Sequence, residues 1–332
     1  MYERGSIAVL GGGSWATALI KMLSHNMDRI GWWMRDEKQI EHIRREGSNP
    51  KYLSTVKLDV AKLDLSSNIA EVLENAQILI LAIPSAFLKD ALSGLPRNVL
   101  KGKLVVSAIK GIVPENNSII GEFIRNQYDI PFSDIGVITG PCHAEEVALE
   151  KLSYLTVACQ DEAKAQIVAE KLSCDYIKVR VSDDIFGTEY AAVLKNIMAI
   201  ANGICRSLGY GDNFQAVLIS NGIREIKRFV DAVHPIDRDI KNSPYLGDLL
   251  ATAYSKFSRN RTFGGLIGAG STVAEAQQEM KMVAEGYFAV KCVSEVNSKY
   301  QVDMPISEAV YKILYLGVSP ETEMKSLANI MH

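Results

Sequence analysis

The sequence predicts an α/β protein: a doubly wound, mainly parallel sheet over residues 1–188, then an all-helical C-terminal domain over 189–332. Three observations predict it. Through the first half, short runs rich in Ile, Val and Leu alternate with helical stretches, the pattern of a parallel sheet covered on both faces by helices. Past Thr188 the strand signals fade and apolar residues recur at helical spacing. The chain has 332 residues, long for one domain. The acidic, glycine-bearing stretch "DDIFGTE" places the boundary near 187–190.

In chain order, "SIAVL" (6–10), "RIGWWM" (29–34), "QILILAI" (77–83), "KLVVSAI" (103–109) and "IGVIT" (135–139) read as buried strands. "ATALIKMLSH", "EKQIEHIRRE" and "NIAEVLENA" between them read as helices. Two further strands, 154–160 and 176–182, flank a helix at 161–173. The second half predicts helices over 189–208, 213–232, 244–257, 273–299, 305–316 and 320–331.

Bulk properties exclude several classes. Net charge is −3, so no basic field attracts nucleic acid. The five cysteines are scattered without a C-x-x-C pair, which suits free thiols in a reducing cytoplasm better than disulfides or structural zinc. The five histidines show no metal-ligand spacing, and no metal is expected. No signal peptide is recognised, and no uncharged apolar stretch is long enough to span a bilayer.

"IAVLGGGSWATAL" sets Gly11, Gly13 and Ala16 in a G-x-G-x-x-A arrangement directly after a strand and at a helix start. Gly11 permits the tight turn, Gly13 lets backbone approach a pyrophosphate, and Ala16 allows close helix–sheet packing. Amides at the helix start would face the phosphates. In this strand–helix–strand context the motif predicts a Rossmann-type dinucleotide site for NAD or NADP. The second strand ends at "WWMRDE". An acidic residue there suits the ribose hydroxyl of NAD, and an arginine the 2′-phosphate of NADP. The chain offers both Arg35 and Asp36, which also read as a solvated pair at a helix start; the balance leans to NADPH.

"YAAVLKNIMAIANGI" holds one charge, Lys195. On a helix its neighbours three and four residues away are Ala191, Ala192, Met198 and Ala199. Such a lysine either snorkels to water or is buried, where its pKa falls and the amine becomes a usable acid or base. Lys110 follows a strand in "SAIKGIVPE", at the carboxyl end where open parallel sheets bind ligands. "TGPCHAEE" follows the next strand. "SPYLGDLLATAYSKFSRNR" sets Asp248 in apolar surroundings, then Ser258, Arg259 and Asn260, a cluster able to hold phosphate or carboxylate.

Together "GGGSWATAL", "WWMR", "NPKYL", "IPS", "IKGI", "TGPCHAEE", "LKNIMAIANGI", "GYGDN", "GDLLAT", "SRNR" and "MVAEG" resemble, in order and through nearly the whole chain, the bacterial-type NAD(P)-dependent glycerol-3-phosphate dehydrogenases. The resemblance implies interconversion of dihydroxyacetone phosphate and sn-glycerol 3-phosphate, mainly for phospholipid synthesis, by a cytoplasmic protein that forms a homodimer through its helical domain. It matches Lys195 to the catalytic proton donor and acceptor, and Lys110 to a lysine facing substrate and cofactor. Asp248, Ser258, Arg259 and Asn260 match substrate-side residues, with Arg259 also near the cofactor. Ser14, Trp15, Arg35, Ala144, Val283 and Glu285 match cofactor contacts. Gly140 and Cys142 match substrate contacts of an S-G-P-S stretch. This chain departs from the family there, with Thr139 and Cys142 in place of serines; a thiol is a weaker donor than a hydroxyl. Ala16 replaces a usual glycine, and Ser220-Asn221-Gly222 stands where many members read T-R-G. Two other readings are a 3-hydroxy acid dehydrogenase of the same layout and an NAD(P)-sensing protein without turnover. A sensor has no use for Lys110, Lys195 and Asp248 together.

Overall fold

A computed structural model of the chain describes residues 6–280 and 284–332. They fall into two compact units. One comprises the residues up to Ile109 together with Ile120–Ile185; the other joins Lys110–Ile119 to Phe186–His332.

The first unit is built on one eight-stranded sheet. Its strands are β1 (Ile7–Leu10), β2 (Ile30–Trp33), β3 (Leu63–Ser66), β4 (Ile78–Leu81), β5 (Leu104–Ser107), β8 (Ile135–Thr139), β9 (Ser153–Cys159) and β10 (Ile177–Ser182). Their order is β10-β9-β8-β5-β4-β1-β2-β3, parallel throughout except for β8 against β9. β1 lies between β2 and β4, with Ile7 paired to both Ile30 and Ile78. The order of strands therefore reverses beside β1, the place where such sheets bind ligands. β1, β4 and β5 are buried at every position, as the unbroken apolar runs predict. Helices α1 (Ser14–Leu23), α2 (Glu37–Glu46), α3 (Ile69–Asn75), α4 (Ser85–Ala91), α5 (Ile120–Tyr128), α6 (Ala144–Ala148) and α7 (Glu162–Leu172) connect the strands. β3, α4, α5 and α6 add to the elements that the apolar runs mark; β3, "LDLS", has only one buried residue.

The second unit holds a small hairpin, β6 (Ile112–Val113) with β7 (Ser118–Ile119), and eight α-helices among the described residues. These are α8 (Ile185–Ser207), α9 (Asp212–Val233), α10 (Asp248–Tyr254), α11 (Arg259–Gly268), α12 (Val273–Glu279), α13 (Glu285–Tyr300), α14 (Pro305–Leu316) and α15 (Pro320–Ile330). The sequence pattern assigns residues 110–119 to the first domain. The structure groups them with the helices instead, because Ile112 and Ile119 are buried in the core formed by α8, α9 and α13. The division after Ile185 lies just before the 187–190 stretch.

The core of this unit is α8, almost wholly buried from Tyr190 to Cys205. Its neighbours approach through glycines. A Cβ on Gly264 of α11 would lie 2.1 Å from the Ile200 carbonyl oxygen, and one on Gly203 of α8 would lie 2.1 Å from that of Arg261. α11 is absent from the helices that apolar spacing predicts, since glycines have poor helix propensity; close backbone packing supplies what propensity lacks. The expected helix over 244–257 begins instead with a π-helical turn, Ser243–Gly247, before α10. The expected helix over 273–299 is two, α12 and α13. Glu225 of α9, fully buried, accepts hydrogen bonds from the Ile306 and Ser307 amides at 2.8 and 2.9 Å, capping α14 from a neighbouring helix.

Adjacent glycines of α11 give a test. An added Cβ on Gly265 meets nothing within 4 Å. Gly264→Ala should cost about 3 kcal/mol, the upper end for overpacking, and lower Tm by roughly 6–12 °C for a unit of this size. Gly265→Ala should be neutral or stabilise by up to about 1 kcal/mol. Thermal melts of both variants check this; equal responses would refute the close packing of α11 on α8.

Candidate active site

The candidate residues fall into two sets, one in each unit. In the sheet unit the set surrounds the loop after β1. Gly11 has a φ of +135°, and a Cβ there would sit 2.3 Å from the Ala82 carbonyl oxygen after β4. Gly13 precedes α1 in open space: an added Cβ meets nothing within 4 Å. The carbonyls of this loop are tied down. Trp32 Nε1 donates to Gly11 O at 2.7 Å. Gln39 Nε2 and Asn49 Nδ2 both donate to Gly12 O, at 2.8 and 3.1 Å. Asn49, fully buried, also donates to Thr17 Oγ1 at 2.8 Å. α1 opens with half-buried Ser14 and Trp15 and has no side-chain cap and no acid in its first turn. A rigid loop, space at Gly13 and an uncapped helix start fit a dinucleotide pyrophosphate. Gln39, on α2, and Asn49, in the loop after it, are brace residues that sequence reasoning missed, because a side-chain amide carries no pattern of its own; "NPKYL" was the only signal for Asn49.

Past β2, Asp36 caps α2 by accepting from the Lys38 amide at 3.0 Å and pairs with Lys51 at 2.5 Å. Lys51, with the capping amides, holds its carboxyl below the usual range. Arg35 beside it is exposed and has no ion-pair partner among the described residues. Ala144 is the first residue of α6. Gly140, with a φ of +121°, follows β8. The Cys142 thiol donates to the Tyr154 carbonyl at 3.2 Å.

In the helical unit, Lys195, Lys110 and Asp248 converge. Lys195 lies midway along α8 and is 4% exposed; Asp248 opens α10 and is 1% exposed. Lys195 Nζ donates to Asp248 Oδ1 at 2.5 Å and to Thr252 Oγ1 at 2.8 Å. Lys110 Nζ donates to Asp248 Oδ2 at 3.2 Å. One carboxylate thus joins two ammonium groups. Asn196 Nδ2 holds the Lys110 carbonyl at 2.7 Å. Burial pulls the Lys195 amine down to about 7; Asp248 opposes the shift and the Lys110 charge adds to it. Burial alone would raise the Asp248 carboxyl, but the two ammonium groups outweigh it and hold it below the usual range.

Thr252 and Asn196 are members that sequence reasoning missed. Thr252 lies four residues after Asp248 and so on the same helix face; a hydroxyl at that spacing was the available signal. Ser258 caps α11, accepting from the Arg261 amide at 3.3 Å. Asn260 Oδ1 accepts from the Gly286 amide at 2.9 Å, fixing the start of α13, whose first residue is Glu285. Arg259, between them, is exposed. Val283 lies outside the described residues.

The comparisons agree on one family. A family model of the NAD-dependent glycerol-3-phosphate dehydrogenase N-terminus matches residues 6–165, and one of the C-terminus matches residues 184–325. The chain belongs to this family. It is 33% identical over 324 residues to the NAD(P)+ glycerol-3-phosphate dehydrogenase of Macrococcus caseolyticus, covering 97% of each chain. It is 35% identical over 323 residues to that of an Exiguobacterium species, covering 97% of this chain and 94% of the other. The crystal structure of glycerol-3-phosphate dehydrogenase from Coxiella burnetii superimposes with a TM-score of 0.90 at 27% identity, over 98% and 99% of the two chains.

The Lys195 environment makes a signed prediction. Removing the opposite charge with Asp248→Asn should lower the Lys195 pKa further, by about 1–3 units. Removing the like charge with Lys110→Met should raise it, by about 1 unit. NMR titration of protein carrying ¹³Cε/¹⁵Nζ-labelled lysine reads both directly. Shifts of the same sign in the two variants would break the assignment.

Proposed function

We propose that this chain reduces dihydroxyacetone phosphate to sn-glycerol 3-phosphate with NAD(P)H, with Lys195 as the proton donor. The observation that carries this is the buried Lys195 amine, held against Asp248 and Thr252 and brought down to about 7, in a chain of this family. Reduction of a ketone needs a hydride on carbon and a proton on oxygen. The nicotinamide, when bound, supplies the hydride.

Two N–H groups of the Lys195 ammonium are engaged by Asp248 and Thr252, and the third has no acceptor among the described residues. It is free to donate to the substrate carbonyl oxygen. With a pKa near neutrality the amine occupies both protonation states at working pH, as general acid and base catalysis requires. Lys110 adds positive charge where the oxygen becomes negative, and Asp248 fixes both amines. Arg259, exposed at the first turn of α11, is the residue to read the substrate phosphate, because a guanidinium matches it with two parallel hydrogen bonds. Holding that remote group positions the reacting carbon. A 3-hydroxy acid reading would need a carboxylate-binding cluster in place of "SRNR", and the family match favours the phosphate. The product is the backbone from which glycerophospholipids are made, so supply of phospholipid synthesis is the use we assign to it.

A spectrophotometric assay with dihydroxyacetone phosphate, run separately with NADH and NADPH, tests the activity. Lys195→Met should lower kcat by at least about 100-fold, the low end of general acid catalysis, with cofactor binding unchanged by fluorescence. In the wild type, kcat for reduction should fall as pH rises through about 7, because the donor must be protonated; kcat for oxidation should rise over the same window. A variant that keeps about a tenth of the turnover would remove Lys195 from this role.

Cofactor choice rests on the end of β2. Asp36 is engaged by Lys51 and by the α2 amides, whereas Arg35 has no charged partner among the described residues. This favours the 2′-phosphate of NADPH, since a guanidinium there accommodates it. Arg35→Ala should raise KM for NADPH several-fold and leave KM for NADH nearly unchanged. Equal effects on both cofactors would assign Arg35 to the adenine or to the fold.

A further inference from the structure

The helical unit contains a cavity of about 450 Å³ that none of the candidate site residues lines. It is lined by Arg206, Ser207, Ser255, Lys256, Arg261 and Thr262, with Gly203 of α8 and Gly265 of α11. Three cations and three hydroxyls face it, with no carboxylate among its lining.

Each cation has some local role. Arg206 is in the last turn of α8, and Arg261 Nη1 donates to the Tyr254 carbonyl at 2.7 Å, at the end of α10. Cations suit helix C-termini. Lys256 lies over the Phe257 ring, 5.5 Å from its centre, and has no ion-pair partner among the described residues. Arg206 pairs with Asp212 only at 4.0 Å, and the Asp212 side chain is 89% exposed. Those roles explain the residues singly. They do not explain why the charges converge: burial and then the Arg206 charge hold Arg261 below the usual guanidinium range. Like charges around a hydroxyl-lined hollow are stabilised by an anion that accepts from all of them, and a tetrahedral phosphate matches guanidinium forks.

We propose that this cavity binds a small phosphate-bearing anion at a site separate from the Lys195 cluster, and that its occupancy acts on turnover through α10. Arg261 holds the last carbonyl of a seven-residue helix whose other end is Asp248 and whose middle carries Thr252. An anion that draws Arg261 towards itself loosens that contact and changes the hold of Asp248 and Thr252 on Lys195.

The test uses inorganic phosphate as the probe, followed by calorimetry at low ionic strength on the wild type, Arg259→Ala and the double variant Arg206→Ser/Lys256→Ser. Phosphate binding should persist in Arg259→Ala and weaken at least tenfold in the double variant. That variant should melt within a few degrees of the wild type and keep its kcat and KM when phosphate is absent. At saturating dihydroxyacetone phosphate, added phosphate should change wild-type kcat and leave the double variant's kcat unchanged. Binding of sn-glycerol 3-phosphate to Arg259→Ala then separates sources: tenfold tighter binding than inorganic phosphate identifies an organic phosphate monoester, and equal binding identifies free phosphate. Loss of all binding in Arg259→Ala, or full binding in the double variant, overturns the site. Binding without a change in kcat overturns the coupling through α10. Calorimetry needs no turnover, so failure of the site is distinguishable from failure of the proposed reaction.

Discussion

The helical unit is organised around one requirement: an amine buried in the middle of α8 must be held by protein groups in place of the solvent it loses. Stripping hydration from a lone ammonium is costly, and a single counter-carboxylate often fails to repay the loss. Here Asp248 supplies the negative charge and Thr252 a neutral acceptor. Lys110 then shares the same carboxylate through its other oxygen. Burial is the main reason that the Lys195 proton is loosely held; the Lys110 charge adds to it, and Asp248, in contact with the amine, opposes it.

Meeting that requirement constrains backbone far from the charges. Asp248 is the first residue of α10, and the π-helical turn that leads into it, Ser243–Gly247, takes its amide through the Ser243 and Tyr245 carbonyls. Such turns are rare and recur where a side chain must be aimed. Asn196 fixes the Lys110 carbonyl from the next residue of α8, so the two lysines are placed by one helix. α11 and α13 come close enough to frame this helix only because Gly264 and Gly286 leave room for its carbonyls.

Much of this was legible in the sequence, and the omissions share causes. The strands with unbroken apolar runs and the long helices α8 and α9 announce themselves by periodicity. α11 does not, because glycines that permit close packing also weaken helix propensity. Residues 110–119 look like a strand-end loop, and only the burial of Ile112 and Ile119 assigns them to the helices. Lys110, Lys195 and Asp248 stand out as charges in apolar surroundings, and the structure brings the three together. Thr252, Asn196, Gln39 and Asn49 act through hydroxyls and amides, which are common on any surface and acquire meaning only from their partners. Cys142 could be noticed as a departure, but the Tyr154 carbonyl that accepts a hydrogen bond from its thiol lies twelve residues away on β9.

The choice of lysine at 195 follows from the same constraint. An arginine would remain protonated at any accessible pH, so it could stabilise a developing charge but not give up a proton. A histidine titrates near neutrality in water, and burial would push it lower, leaving little of the acid form. Lysine starts about 3.5 units above neutrality. That is roughly the distance burial beside a second ammonium can pull it, with Asp248 preventing a larger fall. Its compact head also presents three donors in directions set by rotation about one bond, so two can be fixed by Asp248 and Thr252 while the third addresses a reacting oxygen. On the proposed reading the chemistry depends less on lysine's native acidity than on the burial that changes it.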